Sequence, residues 1–187
     1  MERVCRGLYI GRFQPYHMGH SQVLQVIAGS VDEVIIGIGS AQRSHQKSDP
    51  FTAGERVLMV SRAVEELGIK TYIIPIEDVH RNSLWVSHVK SLTPPFEVVY
   101  SNNPLVKELF REAGIEVVET PLFNRERYSG KRIRRLMLSD DEGWKDLVPT
   151  SVLRVIDEID GVGRLRRISG SDDSSREEHS EVSEMRP

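Results

Sequence analysis

Two hydrophobic periods alternate along this chain. Short apolar runs lie at residues 7–13, 33–39 (EVIIGIG), 71–76, 97–100 and 115–119. Each is too short for a buried helix and is bounded by turn residues, so each predicts a strand. The run at 33–39 has no polar face, as expected of a parallel strand covered on both sides. Between the runs the period changes to that of a helix. Val23, Val26 and Ile27 share one face of a predicted helix over 18–30. A helix over 52–67 opens on Thr52-x-x-Glu55, a capping box. One over 82–92 is stopped by Pro94-Pro95, and one over 104–113 is ended by Gly114. Two closing helices are predicted over 129–138 and 149–159, the second ended by Gly161. Strands separated by helical patterns are βαβ units with right-handed crossovers. The fold class is therefore α/β: one domain, a central parallel sheet of about five strands, helices on both faces and a small C-terminal helical portion. In such sheets ligands bind beyond the carboxyl ends of the strands, which directs attention to the loops after the first three.

Composition narrows the picture. At 187 residues, 39% apolar and 28% charged, the chain suits one globular domain. No apolar run reaches membrane-spanning length. Cys5 is the single cysteine, which excludes an intrachain disulfide framework and a multi-cysteine zinc module. The first residues lead straight into a strand without the apolar core of a signal peptide, so a cytoplasmic location is expected. The net charge of −3 is an average over unlike parts: residues 169–187 carry six acids and two bases, and the body is left at +1. That serine- and acid-rich end has almost nothing to bury and is expected to be a disordered tail on a 1–168 domain.

The chemistry gathers after the first strand, in GRFQPYHMGH (residues 11–20). His17 and His20 share a face of the helix that starts there, where free N–H groups and the positive end of the helix dipole also lie. With Arg12 they form an anion site, and phosphate contact favours doubly donating imidazolium. Gly19 is expected to let a ligand approach the backbone. Zinc is disfavoured, because H-x-G-H lacks the glutamate of H-E-x-x-H and a third ligand. Arg125–Arg135 has a net charge of +5. Within it Tyr128-Ser129-Gly130 reads as a turn opening a helix capped by Ser129. Taken alone, that run is a solvated face or a nucleic-acid patch, but it lacks stacking aromatics beyond Tyr128. GIGSAQ (residues 37–42) lacks the third glycine of a dinucleotide fingerprint. Gly37 there reads equally well as a tight-turn glycine.

GRFQPYHMGH resembles the His/Thr-x-Gly-His signature of the nucleotidyltransferase superfamily, in the form seen in archaeal-type nicotinamide-mononucleotide adenylyltransferases. GSAQ (39–42), DPFTAGER (49–56), NSLW (82–85), YSNNP (100–104) and RYSG (127–130) are similar to the same family, so the resemblance covers roughly residues 7–168. It implies a Rossmann-like fold that transfers the adenylyl group of ATP to nicotinamide mononucleotide, or to its acid form, giving NAD and pyrophosphate. It implies that His17, His20, Arg12 and Arg134 carry catalysis, and that Gly11, Phe13, Gly19, Tyr128, Ser129, Gly130 and Lys131 join them in binding ATP. Gly39, Ser40, Asp78, Asn82 and Trp85 would hold the mononucleotide. Trp offers a flat face and Asn an amide donor and acceptor, although a Trp among Leu84, Val86 and Val89 reads on its own as core. Arg134 falls in the second signature, (S/G)-(S/G)-T-x-x-R, where Lys131 replaces the hydroxyl residue. Mg²⁺ is expected to arrive with ATP, held by phosphates and water, with no protein-ligated metal. The resemblance implies a homo-oligomer, a hexamer, with no nucleic-acid or membrane partner. Enzymes acting on FMN or phosphopantetheine, and a non-catalytic nucleotide sensor, are the alternatives.

Overall fold

The computed structural model describes residues 4–170, apart from 66, 67, 69 and 122. Five parallel strands, β1 (Arg6–Gly11), β2 (Glu33–Ile38), β3 (Thr71–Pro75), β4 (Val98–Tyr100) and β5 (Glu116–Val118), lie in the order β3-β2-β1-β4-β5. The chain reverses direction across the sheet between β1 and β4. Loops leaving their carboxyl ends therefore diverge and leave a crevice.

The strands alternate their side chains between two cores. Val34, Ile36, Ile38 and Tyr100 face α1 (Met18–Ala28) and α2 (Ala53–Glu65), with α5 (Gly130–Leu138) and α6 (Thr150–Glu158) completing that side. Leu8, Ile35 and Val99 face α3 (Asn82–Leu92) and α4 (Pro104–Glu112) through Val89 and Phe110. All six residues of β2 are buried, as its apolar run requires. Gly37 lies inside β2 rather than in a turn. An added Cβ there would lie 2.8 Å from Ile76, so close packing across the sheet explains the glycine.

The helix boundaries follow local chemistry. The Thr52–Glu55 capping box is formed in both directions, at 2.9 and 3.2 Å. Asn103 caps α4 by accepting from the N–H groups of Leu105 and Val106, with Pro104 at the first turn. Gly114 takes the left-handed conformation after α4, at φ +71°.

The C-terminal part differs from expectation. A 3-10 segment, Glu142–Leu147, buries Trp144 and Leu147, and was not foreseen. Gly161 does not end α6. Asp160 takes the left-handed turn at φ +49°, and a further helix spans 161–170. Gly161 has no room for a Cβ, which would lie 2.8 Å from the Phe51 ring. That last helix is held by a two-pronged Arg164–Glu55 pair, at 2.7 Å for both bonds, and by Arg166 donating to the Met137 carbonyl. Residues 169 and 170 continue it, with Ser169 buried, so the ordered domain extends past 168. The acidic segment after 170 lies outside the described residues.

Candidate active site

The loop after β1 is shaped by its own side chains. Phe13 stands at φ +50°, and its ring is 1% exposed, packed on Tyr9, Tyr16 and His20. A Cβ on Gly11 would lie 2.8 Å from that ring. The Phe13 ring is therefore committed to the core. Gln14 reads the backbone of Phe51 in both directions, at 2.9 and 3.0 Å, and its carbonyl accepts from Arg134.

His17 caps α1, and His20 occupies its first turn with its ring stacked on that of His17, centroids 3.6 Å apart. His20 Nδ1 accepts the His17 backbone N–H at 3.2 Å. This puts the His20 proton on Nε2 and leaves that N–H to donate outward. Burial lowers the His17 pKa to about 4, and burial with the neighbouring His17 holds His20 well below the usual imidazole range. Both rings are therefore neutral in the free protein. An arriving phosphate raises both values.

That shift has a consequence for stability. Between about pH 6.5 and pH 4 the unfolded chain binds a proton at His17 that the folded chain does not, so stability falls as pH falls through this window. A second window opens below pH 4.5, where Glu33, held down to about 2 by Lys70 and Arg6, begins to protonate in the unfolded chain. Urea midpoints between pH 7 and 4 are expected to drop, with a smaller drop in His17→Asn. A flat profile would remove the buried neutral imidazole.

Gly19 lines a cavity, and its missing Cβ also makes room for the Tyr128 side chain, which would lie 3.0 Å away. Gly130 abuts the Gln14 carbonyl in the same way, at 2.7 Å. These two glycines bring the start of α5 against the histidine turn. Ser129 caps α5 by accepting from Arg132 N–H at 3.3 Å, which leaves its hydroxyl proton to donate. Arg134 stays near the Gln14 carbonyl, with its pKa lowered by burial and then by nearby Arg12. Arg12 is exposed and leans on buried Asp49 at 3.4 Å.

Three cavities run along the crevice. The middle one, about 540 Å³, is lined by His17, Gly19, His20, Ser101–Pro104, Phe123 and Tyr128–Gly130. It shares Asn103 with a cavity of about 430 Å³ that collects Asp78, Asn82 and Trp85 with Arg43 and His80. It shares Ser129 with one of about 1080 Å³ lined by Lys131 and Arg134. Trp85 is half-buried and packs edge-on against Phe110, centroids 5.5 Å apart, so it is part of the core and of the cavity wall. Gly39 and Ser40 line none of the three. Their carbonyls turn inward to Arg56.

Arg56 was quoted in the sequence without a role. It is 0% exposed, and its guanidinium donates to six backbone carbonyls: Arg12, Gly39, Ser40, Ala41, Arg43 and Thr52. It fastens the loops after β1 and β2 to the start of α2. Asn102 does the same after β4, exchanging hydrogen bonds with Thr120 at 2.8–3.1 Å. The only sequence signal for either is a polar residue where the pattern needs none. Among the described residues no three His, Cys, Asp or Glu side chains gather to hold a metal ion.

The family model described as cytidylyltransferase-like matches residues 8–136. The chain is 62% identical over 172 residues to the nicotinamide-nucleotide adenylyltransferase of Methanosarcina barkeri, covering 92% of this chain and 99% of that protein. It belongs to the nicotinamide-nucleotide adenylyltransferases. The protein of the same name from Archaeoglobus fulgidus is 59% identical, covering 89% of this chain and 99% of that one. Among solved structures, the bifunctional NMN adenylyltransferase/ADP ribose pyrophosphatase of Francisella tularensis, complexed with AMP and a manganese ion, is similar at TM-score 0.73 and 17% identity. The match covers 99% of this chain and 57% of that one, and at this identity it speaks to the fold. Membership of the family agrees with where its motifs fall, since the histidine turn and the start of α5 flank one cavity.

Proposed function

We propose that this chain transfers the adenylyl group of ATP to nicotinamide mononucleotide, giving NAD and pyrophosphate. The observation that carries this reading is the lining of three cavities that share Asn103 and Ser129, with the histidine turn in the wall of the one that has both. The adenosine lies in the middle cavity, beside Asn102, Phe123 and Tyr128. The mononucleotide enters from the Trp85 side, and the outer phosphates leave towards Arg134. The mononucleotide phosphate is already ionised and attacks the α-phosphorus directly, so no side chain need act as nucleophile. Catalysis then rests on alignment and on donors for the charge that builds on the five-coordinate phosphorus. His20 Nε2–H and His17 supply such donors, with N–H groups of both helix starts. Arg12, Arg134, Lys131 and the Ser129 hydroxyl hold the departing phosphates. Among the described residues no carboxylate cage is found, and a Mg²⁺ ion would arrive with ATP, held by its phosphates and water. Arg43 and Asp78, paired at 3.6 Å, give the mononucleotide cavity one cation and one carboxylate.

The test offers ATP or CTP with each mononucleotide acceptor and measures pyrophosphate and product. NAD from ATP and nicotinamide mononucleotide supports the reading; binding without turnover supports a sensor instead. Trp85→Ala is expected to raise KM for the mononucleotide by about tenfold and that for ATP little, since one lost stacking face costs on the order of 1 kcal/mol. Equal weakening of both would leave Trp85 a core residue alone. We further infer a homo-oligomer in the cytoplasm. Among the described residues no helix is long and apolar enough to cross a membrane.

A further inference from the structure

The phosphate side of the site is larger and more positive than a triphosphate requires. The cavity beyond Ser129 measures about 1080 Å³, the upper end of what a drug-sized ligand fills. Lys131, Arg134 and Arg135 line it from one face of α5, at i, i+3 and i+4, with Arg132 beside them. Lys47 closes it from the loop after β2, and Glu126 is its one carboxylate. Among the described residues, Lys47, Lys131, Arg132 and Arg135 have no carboxylate within ion-pair distance, although many other cations of this chain do. Like charges gathered without counter-charge raise one another's energy, and a polyanion relieves this. Pyrophosphate leaving past Ser129 and Arg134 enters this cavity. Lys47 and Arg135 also line it, and the triphosphate reading above does not use them.

On the reading that the chain is an adenylyltransferase, we propose that it also accepts adenosine 5′-polyphosphates longer than ATP. The fourth phosphate lies between Lys47 and Arg135. The mononucleotide phosphate oxygen bonds to the α-phosphorus, and the bond from that phosphorus to the oxygen bridging the β-phosphate breaks. The electron pair leaves on that oxygen, so the products are NAD and tripolyphosphate. In reverse, tripolyphosphate cleaves NAD to the mononucleotide and adenosine 5′-tetraphosphate. The cations act as point charges on flexible stems, so they tolerate phosphate chains of differing length.

The experiment compares adenosine 5′-tetraphosphate with ATP as donor, in the full chain and in the double variant Lys47→Ala/Arg135→Ala. Neither side chain is among those assigned above to the triphosphate. The tetraphosphate is expected to support NAD formation with kcat/KM within about threefold of ATP, and the double variant to lose about tenfold with the tetraphosphate and under about twofold with ATP. A larger deficit in the full chain, or equal losses with both donors, overturns the proposal. If ATP itself yields no NAD, the adenylyltransferase reading fails separately. Calorimetry then tests the cleft alone: tripolyphosphate should bind about tenfold tighter than pyrophosphate, and the double variant should abolish that advantage. Equal affinities overturn it.

Discussion

Replacing His20 with alanine is expected to lower kcat for NAD formation by about 10²–10³-fold with a small change in KM, the signature of a donor that acts mainly in the transition state. Its Nδ1 is engaged by the His17 N–H, so Nε2–H is fixed in direction before substrate arrives. The ring is braced by Phe13, Tyr16 and His17, so the donor needs little reorganisation at the moment of reaction. His20→Asn separates two roles. An amide can still accept the helix-cap hydrogen bond but cannot place a donor where Nε2 stands, so it should keep the urea midpoint and lose the rate. Wild-type kcat in either variant would remove His20 from the mechanism.

Arg56→Met should destabilise the chain by about 3–5 kcal/mol, because it strands several buried carbonyls at once. Six carbonyls from three segments converge on that guanidinium, and no water reaches it. Arg56→Lys is the more informative change. Lysine keeps the charge but brings three donors, too few and wrongly spread for this set. It should fold, with a lower urea midpoint. The histidine turn and the Arg43 loop would no longer share an anchor, so kcat/KM should fall even at temperatures where the variant is folded. A stability loss below about 0.5 kcal/mol, the scale of an ordinary surface substitution, would show that the carbonyl cage is not what holds these loops.

The elements of this fold were largely legible in the chain. The continuous apolar run of β2, the Thr52–Glu55 box and Gly114 are local signals, and each reports a local cause: burial on two faces, unsatisfied N–H groups, a left-handed residue. What failed was also informative. Gly161 carries the same sequence signal as Gly114 but answers to Phe51, a distant residue, and Asp160 makes the turn instead. The short 3-10 turn after Leu138 and the last helix give no local signal, because they have little periodicity of their own and are held by tertiary partners such as Glu55 and Met137.

The site divides along the same line. Which residues gather at the two helix starts was readable, because H-x-G-H and the Ser129 cap are local devices there, where the backbone itself supplies donors. Their protonation was not readable. Imidazoles that looked poised to be cations are held neutral by burial, and burial is a property of the whole packed molecule. Nor did Gly19, Gly130 or Phe13 disclose that they shape the turn by packing on Tyr128, on Gln14 and in the core. The linear pattern determined the parallel α/β order and the chemistry at the helix starts, since both arise from contacts within a few residues. Only the tertiary structure decided which residues come together to line the three cavities, and that Arg56 holds the loops beside them. Those contacts span from four residues within α2 to more than forty across the sheet, and no local spacing encodes the longer ones.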